Sequence, residues 1–210
     1  VMVAAREMAP DRLNADAQTW VNLKLVYTHG YGVAISPSAE VTQDGLPKFF
    51  AKDLPVQGVI EVKQPQVYFG EITNTDVYVR TRQREFNYPQ GETNAYTTYD
   101  GKGGIPINTL MRRVAFAARF QDWKLLFTTS LTKDSRVIIN RTMPDRIASL
   151  CPYFVICDPD PYITIQDGRL QWISDVYTYS RMYPYSKPHR DVSVNYSRNS
   201  VKVQCDAYHR

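Results

Sequence analysis

The sequence has little of what marks the specialised classes of protein. Three cysteines, 10 glycines and 13 prolines among 210 residues exclude a collagen, a low-complexity chain and a small disulfide scaffold. The longest segment without Asp, Glu, Lys or Arg, residues 25–39, contains His29, two glycines and Pro37. Since a membrane-spanning helix needs about 20 mostly apolar residues, no such helix is predicted within these residues.

Charge and apolar content instead fit a globular protein. There are 25 Lys and Arg against 21 Asp and Glu, and 43% of the residues are apolar, which excludes a disordered chain. A chain of this length buries roughly 70% of its unfolded surface, so it needs neither a disulfide nor a metal for stability. We expect one domain over residues 1–210. Because the sequence starts at Val1 without an initiator methionine, we expect a fragment of a longer protein, and its completeness at the C-terminus stays open.

The cysteines and the charge distribution give no sign of a cofactor or of nucleic acid. Cys151, Cys157 and Cys205 follow no zinc-site spacing, and an odd number cannot all pair internally. Free thiols are the favoured interpretation, with one disulfide plus one free thiol left open. Apart from Arg112-Arg113, the basic residues are spread singly, whereas a phosphate-binding surface needs them clustered. We therefore predict no cofactor, no metal and no nucleic-acid partner.

One β-hairpin is specified in detail by its turn. Asp167-Gly168 is a pair typical of a two-residue turn with positive φ at both positions, and alternating apolar residues flank it. The resulting register places Ile165 opposite Leu170 and Ile163 opposite Trp172, so that the apolar pairs share one side.

The other segments predict a mixture of strands and helices. In chain order they are a short helix over 14–25, a glycine-interrupted strand over 25–35, a hairpin of 67–72 with 77–81, a helix after Pro106 whose apolar positions 107, 110, 111, 114 and 118 should face a sheet, a helix from Thr142 to Pro152, and a last strand over 200–205. Their irregular alternation favours an α+β fold with a mixed or mainly antiparallel sheet, hairpins and at least two packed helices.

One candidate for catalysis is His29, which lies in a His-Gly-x-Gly run similar to the oxyanion loop of some α/β hydrolases. No G-x-S-x-G nucleophile motif accompanies it, so a structural histidine at a glycine bend is the favoured interpretation. Asp158 and Asp160, separated by a proline, could act as an acid and base or bind a cation, or simply lead the chain into the next hairpin. An enzyme would require all three residues to meet in one pocket.

The most distinctive composition lies between residues 177 and 190. It combines aromatic and basic side chains: Tyr177, Tyr179, Arg181, Tyr183 and Tyr185, followed by Lys187, His189 and Arg190. Aromatic rings interleaved with cations can stack on sugars or bases, or contact a protein. From the composition alone, a Tyr-rich loop packed on its own domain is the favoured interpretation. The alternative is a binding site formed by the first five of these residues.

Several stretches of the chain resemble a bacterial family, the uncharacterised protein family numbered 0182. They are Ala5-Arg-Glu-Met8, Gln18-Thr-Trp-Val-Asn22, Leu25-Val-Tyr-Thr-His-Gly-Tyr-Gly32, Val67-Tyr-Phe-Gly-Glu71, Tyr96-Thr-Thr-Tyr-Asp-Gly-Lys-Gly-Gly104, Asp160-Pro-Tyr162, Asp167-Gly-Arg-Leu170, Tyr183-Pro-Tyr-Ser186 and Asn195-Tyr-Ser-Arg-Asn-Ser-Val-Lys-Val203. They occur in order along nearly the whole chain. Members of that family are similar in having several N-terminal membrane helices followed by a long extracytoplasmic region, and this chain resembles the early part of that region.

The resemblance implies a location but no chemistry, because no activity, cofactor or catalytic residue is associated with the family. It implies that the parent protein is anchored in the cell membrane and carries these residues on the extracytoplasmic side. Our leading hypothesis is therefore a binding or interaction module in the cell envelope, with an envelope protein or polymer as its partner. The alternative is an envelope hydrolase or metal-dependent enzyme that uses His29 with Asp158 and Asp160.

Overall fold

The computed structural model describes residues 1–152, 156–189 and 193–209, which form short strands and a few helices. The strands are β1 (Met2–Ala5), β2 (Gly30–Tyr31), β3 (Val33–Ser36), β4 (Ala51–Lys52), β5 (Gln57–Gly58), β6 (Gln66–Val67), β7 (Val77–Val79), β8 (Glu85–Gln90), β9 (Thr93–Thr97), β10 (Ile105–Pro106), β11 (Arg136–Ile138), β12 (Ile156–Cys157), β13 (Tyr162–Gln166), β14 (Arg169–Ser180) and β15 (Tyr196–Asp206). The α-helices are α1 (Leu110–Phe120), α2 (Lys124–Phe127) and α3 (Met143–Leu150). None of the helices in these three ranges is long and apolar enough to cross a bilayer.

The strands pair antiparallel in several small sheets, which confirms the predicted α+β class. One sheet has the order β1-β3-β4-β5 and a second the order β10-β11-β7. The third is built on β14, which pairs with β12 and β13 along one edge and with β15 along the other. Two further pairs are β2 with β6 and β8 with β9.

The hairpin of β13 and β14 confirms the register predicted from its turn. Asp167 and Gly168 have φ values of 54° and 78°, and Ile165 pairs with Leu170 and Ile163 with Trp172. The predicted last strand is also present, as part of the longer β15. Local turn chemistry and alternation were sufficient for the hairpin because each residue of β13 pairs with one only a few positions away on β14.

Three apolar clusters hold these elements together. The first joins β3, β13, β14 and α3, with Ile35, Met143 and Trp172 among its buried members. The other two lie on opposite faces of the β10-β11-β7 sheet, because successive side chains of a strand point to opposite sides. Tyr78 faces the second cluster with α1 and α2, while Val77 and Val79 face a third cluster rich in tyrosine.

The helix after Pro106 is present, but its predicted orientation is wrong. It begins at Leu110, because the Thr109 hydroxyl caps it by accepting a hydrogen bond from the Arg112 backbone N–H at 3.3 Å. Of the predicted stripe, position 107 is buried in the second cluster but precedes the helix. Positions 110, 111, 114 and 118 face outward, whereas Phe116, Ala117 and Phe120 pack on the second cluster. Aromatic side chains offer the larger apolar area to bury, so the face that carries the two phenylalanines packs inward.

Two other predictions of secondary structure are wrong, and a third is confirmed. Residues 67–72 and 77–81 do not form a hairpin, since β6 pairs with β2 and β7 pairs with β11. The helix expected over 14–25 is reduced to a single 3-10 turn at Ala15–Ala17 and a π-helix at Asn22–Val26. The Thr142 prediction is confirmed, because its hydroxyl accepts from the Asp145 backbone N–H at the start of α3.

The segment after β6 is held by a distant carboxylate. Glu7 accepts hydrogen bonds from the backbone N–H groups of Glu71, Ile72 and Thr73, at 2.8, 3.0 and 3.2 Å, and from the Thr73 hydroxyl at 2.6 Å. The carboxylate lies so close to Gly70 that a Cβ there would come within 2.1 Å of a Glu7 oxygen. Residues 70–73 therefore wrap around the N-terminal segment instead of turning into β7.

We expect Glu7→Gln to lower the free energy of unfolding by about 1–2 kcal/mol, because a neutral amide weakens charge-assisted hydrogen bonds and supplies one acceptor oxygen where there were two. Urea denaturation measures the change. Glu40→Gln is the matched control, since Glu40 meets Lys48 at 2.8 Å with both side chains more than half exposed, and it should change stability by less than about 0.5 kcal/mol. Equal effects of the two variants would contradict the assigned role of Glu7.

Candidate functional site

The candidate binding residues lie on a hairpin arm, formed by residues 177–200 of β14, β15 and the loop between them. In the first part of β14 every second side chain is buried, from Leu170 to Val176. From Tyr177 to Ser200 no described residue is buried. A β-bulge interrupts the pairing between Val176 and Tyr177, and bulges bend a strand and increase its twist. The arm therefore leaves the core at this bulge.

The structure places all five predicted binding residues on this arm. Tyr177 and Tyr179 are partly buried on β14, and Arg181 is exposed where the strand ends. Tyr183 is half exposed and Tyr185 is fully exposed in the loop. The loop also presents Met182, which is 91% exposed. Met182 was not among the predicted binding residues because it is neither aromatic nor basic.

The first part of the loop, residues 183–186, is held by one asparagine that was not predicted as part of the site. The Asn195 side chain accepts a hydrogen bond from the Tyr183 backbone N–H at 3.0 Å and donates to the carbonyls of Tyr183 and Ser186, at 2.7 and 3.3 Å. The Tyr183 ring stacks on Tyr196, with centroids 4.5 Å apart and planes at 11°. These contacts fix the backbone that carries Tyr183 while leaving Tyr185 exposed.

The charge on the arm is mainly basic. Arg181, Lys187 and Arg198 are exposed, and none of them forms an ion pair within the described parts of the chain. Arg190, named with the candidates in the sequence, lies outside the described residues. The arm thus combines aromatic surface with uncompensated positive charge.

His29, by contrast, is completely buried, and both of its ring nitrogens have hydrogen-bond partners. Its Nδ1 atom lies 3.0 Å from the Thr28 hydroxyl and its Nε2 atom 3.2 Å from Asn87 Oδ1. The ring stacks on Tyr68 with centroids 4.5 Å apart. Burial lowers the pKa of His29 to about 4, so the imidazole is neutral at pH 7. This is the structural histidine that the glycine-rich context favoured.

A buried polar network continues from His29. Glu85 accepts hydrogen bonds from the Thr28 hydroxyl at 2.5 Å, the Tyr68 hydroxyl at 2.6 Å and the Tyr99 backbone N–H at 3.0 Å. Burial raises the pKa of the Glu85 carboxyl and that of the Tyr68 phenol. The network connects groups that are far apart in sequence, and it thereby holds the segments around residues 28, 68, 85 and 99 together.

Arg141 is the positive member of the same buried region. Its guanidinium donates to the carbonyls of Tyr68 at 2.7 Å, Thr75 at 3.0 Å and Thr28 at 2.5 Å. Burial lowers the Arg141 pKa to about 10, which leaves it protonated at pH 7. Three separate segments of chain therefore meet at one cation.

Asp158 and Asp160 lie elsewhere, at the entrance to β13. The Asp158 backbone N–H donates to the Asp175 carbonyl at 2.8 Å, and Asp158 Oδ1 accepts from the Asp160 N–H at 3.1 Å. Neither aspartate is among the hydrogen-bond, ring or charge partners of His29. Within the described residues, no group of three His, Cys, Asp or Glu side chains could hold a metal ion.

Two of the three cysteine side chains lie in the described part of the chain. Cys151 and Cys205 are free, and the side chain of Cys157 lies outside the described residues. Burial raises the pKa of the Cys205 thiol, which disfavours the reactive thiolate.

Fold and site together define an α+β region with a buried polar network and an exposed aromatic arm. The chain belongs to the uncharacterised protein family UPF0182, whose family model matches residues 1–209. This confirms the resemblance seen in the sequence. The UPF0182 proteins of Desulforamulus reducens and Sulfurovum sp. are each 46% identical to this chain, and that of Pelotomaculum thermopropionicum is 45% identical, each over 99% of it.

The chain is much shorter than these relatives. It spans 22–23% of their length, so it corresponds to a fragment of a larger protein. No solved structure matches it.

Proposed function

We propose that this chain is a binding module on the extracytoplasmic side of a membrane-anchored envelope protein, and that it contacts a protein partner through the hairpin arm. The observation that supports this most directly is the exposure of Met182 and Tyr185 on an arm whose described residues include none that is buried. Tyr, Met and Arg are the residue types enriched at protein–protein interfaces, and the arm tip carries all three.

The order of the arm also favours binding. Asn195 and the stacked pair of Tyr183 and Tyr196 hold the backbone of residues 183–186 in one conformation. A loop that is already ordered loses less conformational entropy when a partner binds, which favours affinity. The enzyme alternative receives no comparable support, because His29 is buried and Asp158 and Asp160 are not among its partners.

The partner can be captured by introducing a photo-crosslinking amino acid, p-benzoylphenylalanine, in place of Tyr185 in the full-length protein in intact bacteria. We expect one discrete crosslinked protein, whose affinity for the purified chain is then measured. Tyr183→Ala with Tyr185→Ala should weaken that affinity by about tenfold or more, as expected for aromatic hot-spot residues. The melting temperature should change by only a few degrees, since both side chains are largely outside the core.

Tyr96→Ala is the matched control, because Tyr96 is 47% exposed on β9 and lies outside the arm. It should leave the affinity unchanged. Co-sedimentation with purified peptidoglycan sacculi tests a polymer instead. Binding to sacculi alone, or an unchanged affinity of the double variant, would contradict a protein partner on this arm.

A further inference from the structure

The outward face of α1 and α2 carries large apolar side chains that nothing in the described chain covers. Both helices pack their inner sides on the second apolar cluster, through Ala117 and Leu125. On their outer sides Leu110 is 72% exposed and Met111 78%, followed by Trp123 at 58% and Phe127 at 82%. We call this surface, together with Val114 and Ala118, the helical face.

The apolar residues of α1 form one continuous stripe. Leu110, Val114 and Ala118 are spaced four residues apart, which places them above one another along a helix, and Met111 lies beside them. The sequence periodicity predicted this stripe and assigned it to the core. In the structure the stripe is exposed. Contiguous exposed apolar patches are rare on proteins in water and usually mark a binding surface.

Positive charge is concentrated in the same segment of the chain. Residues 105–133 contain five basic residues and one acidic residue, whereas the rest of the chain contains 20 of each. The formal net charge of +4 therefore comes entirely from this segment. The acidic residue of this segment is Asp122. Its carboxylate accepts a hydrogen bond from the Trp20 indole N–H at 2.5 Å.

The cations of this segment are not neutralised within the described chain. They are Arg112, Arg113, Arg119, Lys124 and Lys133, and none of them forms an ion pair with a described carboxylate. Arg112 and Arg113 donate to backbone carbonyls of the segment that precedes the helix. Among the described residues nothing accepts a hydrogen bond from the Trp123 indole, and tryptophan is the residue that sits best between an apolar and an aqueous phase.

We infer that the helical face binds the surface of an anionic lipid bilayer. The apolar side chains would enter the boundary between headgroups and acyl chains, while the five cations remain at the level of the anionic headgroups. A second copy of the chain is disfavoured as the occupant, because a symmetric contact would bring two sets of five uncompensated cations together. This inference is independent of the hairpin arm and of its partner.

Co-sedimentation of the purified chain with lipid vesicles tests the inference. We expect binding to vesicles of phosphatidylcholine with 30 mol% phosphatidylglycerol and much weaker binding to phosphatidylcholine alone. Met111→Gln with Phe127→Gln should reduce the partition coefficient on anionic vesicles by about tenfold or more, because two exposed apolar side chains lose their transfer energy. Arg112→Gln and Arg119→Gln should each reduce it by about fivefold, as expected for one charge near an anionic surface.

Met182→Gln is the matched control, since it makes the same replacement at an equally exposed methionine on the hairpin arm. It should leave vesicle binding unchanged, and circular dichroism should show that all variants are folded. Three results would overturn the inference: no binding to anionic vesicles, equal loss with Met182→Gln, or a concentration-dependent dimer that Met111→Gln with Phe127→Gln abolishes.

Discussion

Arg141→Met is expected to lower the free energy of unfolding by about 3–5 kcal/mol, because each buried acceptor left without a donor costs about 1–3 kcal/mol. Methionine has a similar length but no hydrogen-bond donor, so the carbonyls of Thr28, Tyr68 and Thr75 would each lose the donor that they now have. Glu85 would also lose its nearby positive charge. For a chain of this size the melting temperature should fall by roughly 10 °C.

Arg136→Met is the matched control for that experiment. Arg136 also donates to three carbonyls, those of Lys102, Gly103 and Gly104, but it is only partly buried. Water can replace its hydrogen bonds, so we expect a loss of about 1 kcal/mol or less. Thermal and urea denaturation of both variants give the comparison. Similar losses would mean that the burial of Arg141 contributes little.

Acidification is expected to destabilise the fold through His29. Its pKa is about 4 in the folded chain and about 6.5 when the chain is unfolded, so the unfolded state takes up the proton first. The contribution to stability is therefore fully present above about pH 6.5 and is lost as the pH falls towards 4. The limiting loss is about 3 kcal/mol.

Glu85 acts in the opposite direction, because burial raises its pKa and the folded state takes up that proton first. His29→Gln separates the two groups, since this variant keeps Glu85 but has no imidazole to titrate. Its stability should fall less than that of the natural chain between pH 7 and pH 4. NMR titration of the imidazole protons checks the cause directly. A His29 transition near pH 6.5 in the folded protein would contradict this account.

The sequence was sufficient wherever structure depends on near neighbours. Asp167-Gly168 selects its turn, the turn sets the register, and the register places Ile163 opposite Trp172. The helix cap at Thr142 is equally local. The five candidate residues of the arm lie at every second position over residues 177–185, so that their common place on one arm follows from the sequence. Their role in binding stays a prediction.

Contacts between distant segments could not be predicted in this way. Thr28 meets Glu85 57 positions later and Arg141 113 positions later, and no local pattern specifies such pairs. The incorrect hairpin at 67–81 has the same origin, because β6 and β7 each pair with a strand from elsewhere in the chain. For α1 the periodicity showed which residues share a side, but which side packs inward depends on competition between two apolar faces.

The bulge at Val176 and Tyr177 has a mechanical consequence. β14 is one unbroken strand that begins among buried side chains and ends on the arm, and β15 returns alongside it from Ser180 to Gln171. The core end is locked in place by the Trp172 indole, which donates to the Phe69 carbonyl at 2.8 Å. A molecule bound at the tip would therefore lie at a fixed distance from the core, given by roughly 10 Å of strand beyond the bulge plus the loop. A force applied to that molecule would be transmitted to the protein interior through both strands.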